Sequence, residues 1–150
     1  LAAKRRAGSG DVRGIDASPE MIAVARRKAA KQSAHVDFQV ALIEQLPFPD
    51  GTFDVILSSL MLHHLPDELK RKGFAEVKRV LKPGGRLFAV DMSSKGRSVM
   101  GRILRFIPGH RLPGDYLDRL KAMAQEAGFS DVESGLLGAG GLGYVHAVAK

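Results

Sequence analysis

Strand-like and helix-like segments alternate along this chain, and that order constrains the fold more than any other feature. The strand-like runs are Val12 to Asp16, "HVDFQVA" (residues 35–41), Phe53 to Ser59 and Arg86 to Asp91. Such alternation predicts a mainly parallel sheet with helices on both faces, and a ligand at the carboxyl ends of its strands. The polar residues that end strands at this edge are Asp16, Ser59 and Asp91. We therefore expect an α/β, doubly wound, Rossmann-like sheet, and the apolar run Phe53 to Ser59 is typical of a strand covered on both faces.

Three helices are predicted between and after these strands. Ser18 is a good N-cap, and the proline that follows it suits a first turn, so a helix begins at Pro19 and runs to about Gln32. Two further helices are predicted from about Pro66 to Leu81, with "KPGG" as the stop signal, and from Asp115 to Ala127.

The glycine-rich end of the chain resembles a nucleotide-binding loop in spacing alone. Gly138, Gly140 and Gly143 fall on G-x-G-x-x-G, but a true fingerprint needs a helix opening on its last glycine and a further strand. Only Tyr144 to Lys150 follow, and they alternate in polarity as a terminal strand does. We interpret the glycines as a turn between two C-terminal strands, the last of them antiparallel.

Length and composition favour one domain built on a single core. The chain has 150 residues, of which 45% are hydrophobic. Without Cys it offers neither a disulfide framework nor a thiolate metal site, and we predict no metal centre and a cytoplasmic location. No apolar run approaches the roughly 20 residues that cross a bilayer, and "LAAKRRAGSG" lacks the apolar stretch of a secretory signal.

The net charge of +7 raises the question of an anionic partner. Most of the charge is scattered over predicted outer helix faces, which gives no firm indication of nucleic acid. Residues Lys95 to Arg111 are different, because cations occur there without a single acid, beside apolar residues at helical spacing. We expect this segment to form a lid over a substrate pocket. The alternatives are a core-facing helix and a contact with a membrane surface or RNA.

Four stretches carry a resemblance to a known family, in its order and at about its spacing. They are "GIDASPEM" (Gly14 to Met21), "LPFPDGTFDVI" (Leu46 to Ile56), "LHHLPD" (Leu62 to Asp67) and "RVLKPGGRLFAVD" (Arg79 to Asp91). With them the chain resembles the class I S-adenosylmethionine-dependent methyltransferases, and especially the ubiquinone and menaquinone biosynthesis type. The resemblance implies S-adenosyl-L-methionine as cofactor and a small or lipophilic methyl acceptor.

The resemblance also implies which residues bind the cofactor. Asp16 would accept both hydroxyl protons of the ribose, a role that suits a carboxylate with two acceptor oxygens. The alternative, that Asp16 only caps the next helix, is weakened because Ser18 already supplies a cap. Ala17 and Met21 would lie beside the adenosine, although spacing alone makes Met21 an ordinary core residue. Ser59 would lie along the sulfonium side.

The family's adenine contacts are only partly retained. An acid commonly precedes the "LPF" turn in this family and binds the adenine amino group, while a neighbouring backbone amide meets a ring nitrogen. The matching positions here are Leu42 and Ile43. Leu42 has no acceptor in its side chain, so one hydrogen bond worth about 1 kcal/mol would be lost.

Methyl transfer needs little from side chains beyond alignment of the acceptor with the activated methyl group. His63 lies in "LHHLPD", where a neutral imidazole can take a proton from a phenol or an activated carbon acid. The alternative is that His63 is a loop histidine bonded to the backbone. We name His63 as the candidate catalytic residue.

One part of the family pattern is not found in this sequence. The first strand and its glycine-rich loop should precede "LAAKRRAGSG", and Gly8 and Gly10 do not replace them because they come before a strand. We expect a truncated gene or fragment. The strands at Val12 to Asp16 and Phe53 to Ser59 would then form either a split sheet with an open groove or a direct pair, and the chain alone would bind the cofactor poorly.

The predicted function is S-adenosylmethionine-dependent methyl transfer to a small or lipophilic molecule. The first alternative is a methyltransferase-like pseudoenzyme that scaffolds or regulates a partner, which the substitution at Leu42 favours. The others are an NAD-dependent oxidoreductase, since an acid after a second strand also serves NAD, and an RNA-binding module.

Overall fold

The computed structural model describes residues 1–93, 114–138 and 141–150. It divides into two compact units, Leu1–Pro47 and Phe48–Lys150. The segment Lys95 to Arg111, for which we predicted a lid or a membrane-surface contact, lies outside the described residues. Within the described part of the chain, no helix has the length and apolarity needed to span a membrane.

The unit Leu1–Pro47 is one strand, helix, strand motif preceded by a short helix. Its elements are α1 (Ala2–Ala7), β1 (Arg13–Asp16), α2 (Pro19–Lys31) and β2 (Asp37–Val40). The strands β1 and β2 pair in parallel. As predicted, α2 begins at Pro19, and the Met21 amide donates to the Ser18 hydroxyl at 3.1 Å. This local cap satisfies one of the free amides of the first turn.

The unit Phe48–Lys150 contains a four-stranded mixed sheet. Its elements are β3 (Phe53–Ser59), a 3₁₀ turn (Leu62–His64), α3 (Asp67–Val80), β4 (Leu81–Met92), α4 (Tyr116–Glu126), β5 (Phe129–Leu137) and β6 (Leu142–Ala149). The strand order is β3-β4-β6-β5. Strands β3 and β4 are parallel, and β6 is antiparallel to both of its neighbours. The predicted α/β class, with its antiparallel C-terminal strand, is confirmed.

The core of this unit lies between one face of the sheet and the helices α3 and α4. Alternate residues of β4 and β6, such as Leu87 and Val145, are buried there. The helices bury Phe74 and Leu120 among others. On the opposite face Phe88 and Tyr144 are half-buried, and their ring centroids lie 5.6 Å apart in a stacked arrangement. Side chains on the two faces of the sheet therefore differ in burial, as the alternating polarity of β6 predicts.

The strand β4 begins earlier than predicted. We expected Arg86 to Asp91, but pairing starts at Leu81, which lies opposite Phe53, before Val55 pairs with Arg86. The four residues between Leu81 and Arg86 form an irregularity in the register. A side chain at Gly85 would place its Cβ 2.8 Å from the Lys82 carbonyl oxygen, so the bulge requires glycine there.

The expectation that β3 is covered on both faces is wrong. Val55 and Leu57 are 55% and 59% exposed, so the face of the sheet to which both side chains point is open at β3, an edge strand of the four-stranded sheet. The strand β1 belongs to the other, two-stranded sheet. The split sheet or direct pair expected for β1 and β3 stays a prediction, because the two strands lie in different units.

The glycine-rich segment is a turn region between two strands, as predicted. Gly138 has a φ of 60°, and Gly143 lies inside β6. A Cβ at Gly143 would lie 2.4 Å from a methyl group of Leu117, so the glycine allows α4 to approach the strand closely. Gly143 is therefore needed for packing, and the residues that come after it up to Ala149 continue as a strand instead of opening a helix at a phosphate site.

Candidate active site

The carboxyl ends of β3 and β4 form one edge of the four-stranded sheet. Ser59 pairs with Val90, and the Leu60 amide donates to the Val90 carbonyl at 2.9 Å. The chain then enters the 3₁₀ turn Leu62–His64. This path brings the "LHH" turn over the end of β4, where Asp91 is located.

Asp91 is a buried carboxylate that accepts four hydrogen bonds from the residues that the structure describes. Its Oδ1 accepts from the Met92 amide at 2.7 Å and lies 2.5 Å from Nδ1 of His63. Its Oδ2 accepts from the His63 amide at 2.9 Å and from the Tyr116 hydroxyl at 3.2 Å. Asp91 is only 2% exposed, so these donors are what makes its burial tolerable.

The contact with Asp91 orients the His63 ring. A neutral imidazole that donates from Nδ1 to a carboxylate carries its lone pair on Nε2. Within the described residues, Nε2 of His63 has no hydrogen-bond partner, and the ring stacks against His64 with centroids 3.9 Å apart. The side chain of His63 is 9% exposed. This arrangement can take up a proton at Nε2 and stabilise the resulting imidazolium.

Helices α3 and α4 add a second layer behind Asp91. Burial, followed by the charge of Asp91 and the hydrogen bond to it, raises the pKa of Tyr116 well above its ordinary value, so the phenol stays neutral. The buried Lys70 ammonium lies 5.2 Å from the Tyr116 ring centroid and donates to Asp67 at 3.0 Å. That bond from Lys70 lowers the pKa of Asp67, which also pairs with Arg119.

From the sequence, Asp91 is identified only as a residue that ends a strand, and Tyr116 only as part of the predicted helix from Asp115 to Ala127. A signal for Asp91 existed, since an acid after the apolar run "LFAV" either faces solvent or needs several donors. For Tyr116 we find no local signal, because its hydroxyl bonds to a residue 25 positions away.

In the unit Leu1–Pro47, the ends of β1 and β2 also lie side by side. The Ala41 amide donates to the Asp16 carbonyl at 3.1 Å. The carboxylate of Asp16 is exposed, and its Oδ1 accepts from the Ser18 amide at 2.8 Å. Its Oδ2 has no hydrogen-bond partner within the described residues. One oxygen thus fixes the side chain, and the other is open to a ligand hydroxyl.

The other predicted cofactor residues of this unit follow β1 and β2. Met21 is 53% exposed, so it is not the ordinary core residue that spacing alone indicates, and Ile22 is buried in its place. Leu42 is exposed, and its carbonyl accepts from Gln45 at 3.2 Å. The amide of Ile43 donates no hydrogen bond within the described residues. Ala17 is exposed beside Asp16.

Ser59 and Asp16 lie in different units, and the prediction that they face one cleft stays a prediction. His63 and Ser59 end up at the same edge of the four-stranded sheet. No group of three His, Asp or Glu side chains suited to a metal ion occurs within residues 1–93, 114–138 and 141–150.

Known proteins are similar to this chain over most of its length. The family model "Methyltransferase domain" matches residues 1–85. A demethylmenaquinone methyltransferase from Thermus thermophilus is 35% identical over 87% of this chain and 68% of its own length. An arsenite methyltransferase from Halobacterium salinarum is 34% identical over 89% of this chain but 34% of its own length.

The fold also matches solved structures. A crystal structure of a SAM-dependent methyltransferase from Aquifex aeolicus superposes with a TM-score of 0.74 at 23% identity, over 99% of this chain and 74% of that one. The pseudoenzyme, oxidoreductase and RNA-binding alternatives are not favoured by these matches. The chain belongs to the class I S-adenosylmethionine-dependent methyltransferases of the ubiquinone and menaquinone biosynthesis type, enzymes whose cofactor is S-adenosyl-L-methionine.

Proposed function

We propose that the protein containing this chain transfers the methyl group of S-adenosylmethionine to a phenol or an activated ring carbon of a small, lipophilic molecule. The observation that carries this proposal is the His63–Asp91 pair, an oriented imidazole at the carboxyl edge of the sheet. The chain spans 68% and 34% of the two curated relatives described above, so the activity of the whole protein is part of the proposal.

The bound cofactor would supply a methyl group activated by a sulfonium. The residues of this chain then need to orient the acceptor and remove one proton. Nε2 of His63 accepts this proton, either from a phenol oxygen or from the ring carbon after methylation. The buried Asp91 carboxylate stabilises the imidazolium through Nδ1, and the low exposure of both groups strengthens that interaction.

The cofactor-binding residues are proposed on the same basis. Asp16 fits a ribose diol because one of its oxygens is open and the side chain is held by Ser18. The Ile43 amide is available to an adenine ring nitrogen, and Met21 offers an exposed apolar surface. Leu42 does not fit a contact to the adenine amino group. Ala17 and Ser59 complete the proposed set.

A quinol-type acceptor fits this chain better than arsenite does. The As(III) centre of arsenite prefers thiolate ligands, and residues 1–150 contain no Cys. An oriented imidazole has a clear role with a phenol or carbon acid, whose proton must leave. The cytoplasmic location and a single methyltransferase domain over residues 1–150 belong to the proposal as predictions.

The test uses the full-length protein, methyl-tritiated S-adenosylmethionine and a reduced demethylmenaquinone analogue with a short side chain as acceptor. His63→Asn should lower kcat by roughly 10²- to 10⁴-fold, the range of general-base catalysis. His35→Asn is the matched control, because His35 is an exposed histidine of the unit Leu1–Pro47 and is not part of the His63–Asp91 pair. Equal activity of His63→Asn and the wild type would remove the base from the mechanism.

A further inference from the structure

The Asp91 carboxylate receives its hydrogen bonds from two sides. Three of the contacts come from its own neighbourhood in the sheet and the 3₁₀ turn, namely the Met92 amide, the His63 amide and the His63 ring. The fourth comes from the Tyr116 hydroxyl at the start of α4. Tyr116 is therefore the link between α4 and the carboxylate that orients His63.

The hydroxyl of Tyr116 is not explained by packing. The residue is 4% exposed, and its ring fills core space that a phenylalanine would fill equally well. In the described structure its oxygen bonds to Asp91. A buried phenol needs a partner, but a core position does not need a phenol. The presence of tyrosine here is thus best accounted for by the carboxylate.

We propose that Tyr116 is a positioning residue for His63, acting through Asp91: its hydroxyl holds the carboxylate in place and takes up part of the carboxylate's charge. The inference rests on the proposed role of His63 as base. Two effects follow. The Asp91 side chain is restrained so that Oδ1 faces Nδ1, and the stabilisation of the imidazolium is kept below what an unshared carboxylate would give.

Within residues 1–93, 114–138 and 141–150, the charged and titratable groups around this contact come from three elements. The 3₁₀ turn contributes His63 and His64, and α3 contributes Asp67 and Lys70, whose ammonium faces the Tyr116 ring. From α4, Arg119 pairs with Asp67. Because the raised pKa of Tyr116 keeps the phenol neutral over the working pH range, the hydroxyl donates throughout it.

The sign of the expected change follows from this arrangement. In Tyr116→Phe the carboxylate loses one donor, so more of its negative charge acts on the His63 ring. The imidazolium form of His63 then becomes more stable than it is in the wild type. The acid limb of the pH–rate profile should move to higher pH in Tyr116→Phe.

The experiment follows the His63 ring in the full-length protein by ¹⁵N NMR over pH, with His63→Asn to assign the signal. Wild type, Tyr116→Phe and Tyr144→Phe are compared. Tyr144 is the matched control, since it stacks on Phe88 on the opposite face of the sheet. An upward shift in Tyr116→Phe with none in Tyr144→Phe supports the proposal. Equal midpoints in all three proteins overturn it.

Two further readouts keep the outcome clear. A slowly exchanging Tyr116 hydroxyl proton in the wild-type NMR spectrum supports the contact without any substitution, and its rapid exchange with solvent argues against it. The activity assay separates this inference from the proposed function. If His63→Asn retains full activity, the base is wrong whatever the titration shows. If Tyr116→Phe leaves both the titration and the pH–rate profile unchanged, the positioning role is wrong while methyl transfer stands.

Discussion

Asp91→Asn is the most informative single change, because it alters the charge at the site while keeping the shape of the side chain. The amide retains one acceptor oxygen, so it cannot serve all four donors that surround Asp91. With its oxygen towards Tyr116 and the His63 amide, the new NH₂ group faces the Met92 amide and the His63 ring. The ring can then adapt only by accepting at Nδ1, which moves its own proton to Nε2.

The consequences can be given magnitudes. The Met92 amide loses a buried acceptor, which costs about 1–3 kcal/mol of folding stability. The turnover of the protein that remains folded should fall by roughly 10³- to 10⁴-fold, because a histidine in the wrong tautomer cannot act as base. Urea unfolding and the tritium assay on the full-length protein measure the two effects separately.

The control for Asp91→Asn is Asp54→Asn. Asp54 is an exposed acid of β3 that pairs with Lys82 at 2.8 Å, and an exposed pair contributes only about 0–1 kcal/mol. Its turnover should match the wild type. Wild-type turnover in Asp91→Asn, with an unchanged pH–rate profile, would refute the assignment of His63 and Asp91 as a working pair.

Two further predictions concern the cofactor and the surface of α3. Asp16→Ala in the full-length protein should weaken S-adenosylmethionine binding by about 1.5–3 kcal/mol, the worth of hydrogen bonds to a charged acceptor, and unchanged affinity in calorimetry would exclude the ribose contact. The pKa of Asp67 is lowered by its hydrogen bond from Lys70, so this bond stabilises the fold when the pH is above the ordinary Asp pKa. The stabilisation disappears as the pH falls through the lowered pKa. In urea unfolding at neutral pH, the free energy of unfolding of the wild type should therefore exceed that of Asp67→Asn by about 0.5 kcal/mol or less, because Asp67 is partly exposed. In strong acid the two proteins should have the same stability. A difference in stability that grows as the pH falls would contradict this prediction.

Local signals determined the elements of this chain well. The Ser18 cap and the following proline act within one helical turn, and they place the start of α2 at Pro19 as predicted. The alternation of β6 identifies which of its side chains are buried, and Gly138 marks the turn before it. These features depend on residues a few positions apart, so the sequence alone contains the information. The order of strands and helices likewise predicted the α/β class.

The tertiary structure decided the features that depend on register and on distant partners. Leu81 joins β4 only because Phe53 lies opposite it. Val55 and Leu57 point to a face of the sheet that is open at β3, although an apolar run of this kind is typical of a strand covered on both faces. The site itself is of this kind, since Asp91 meets His63 from 28 positions away and Tyr116 from 25. Sequence patterns report the preferences of neighbours, whereas the donors of a buried carboxylate are set by strand register and helix packing, which no local pattern encodes.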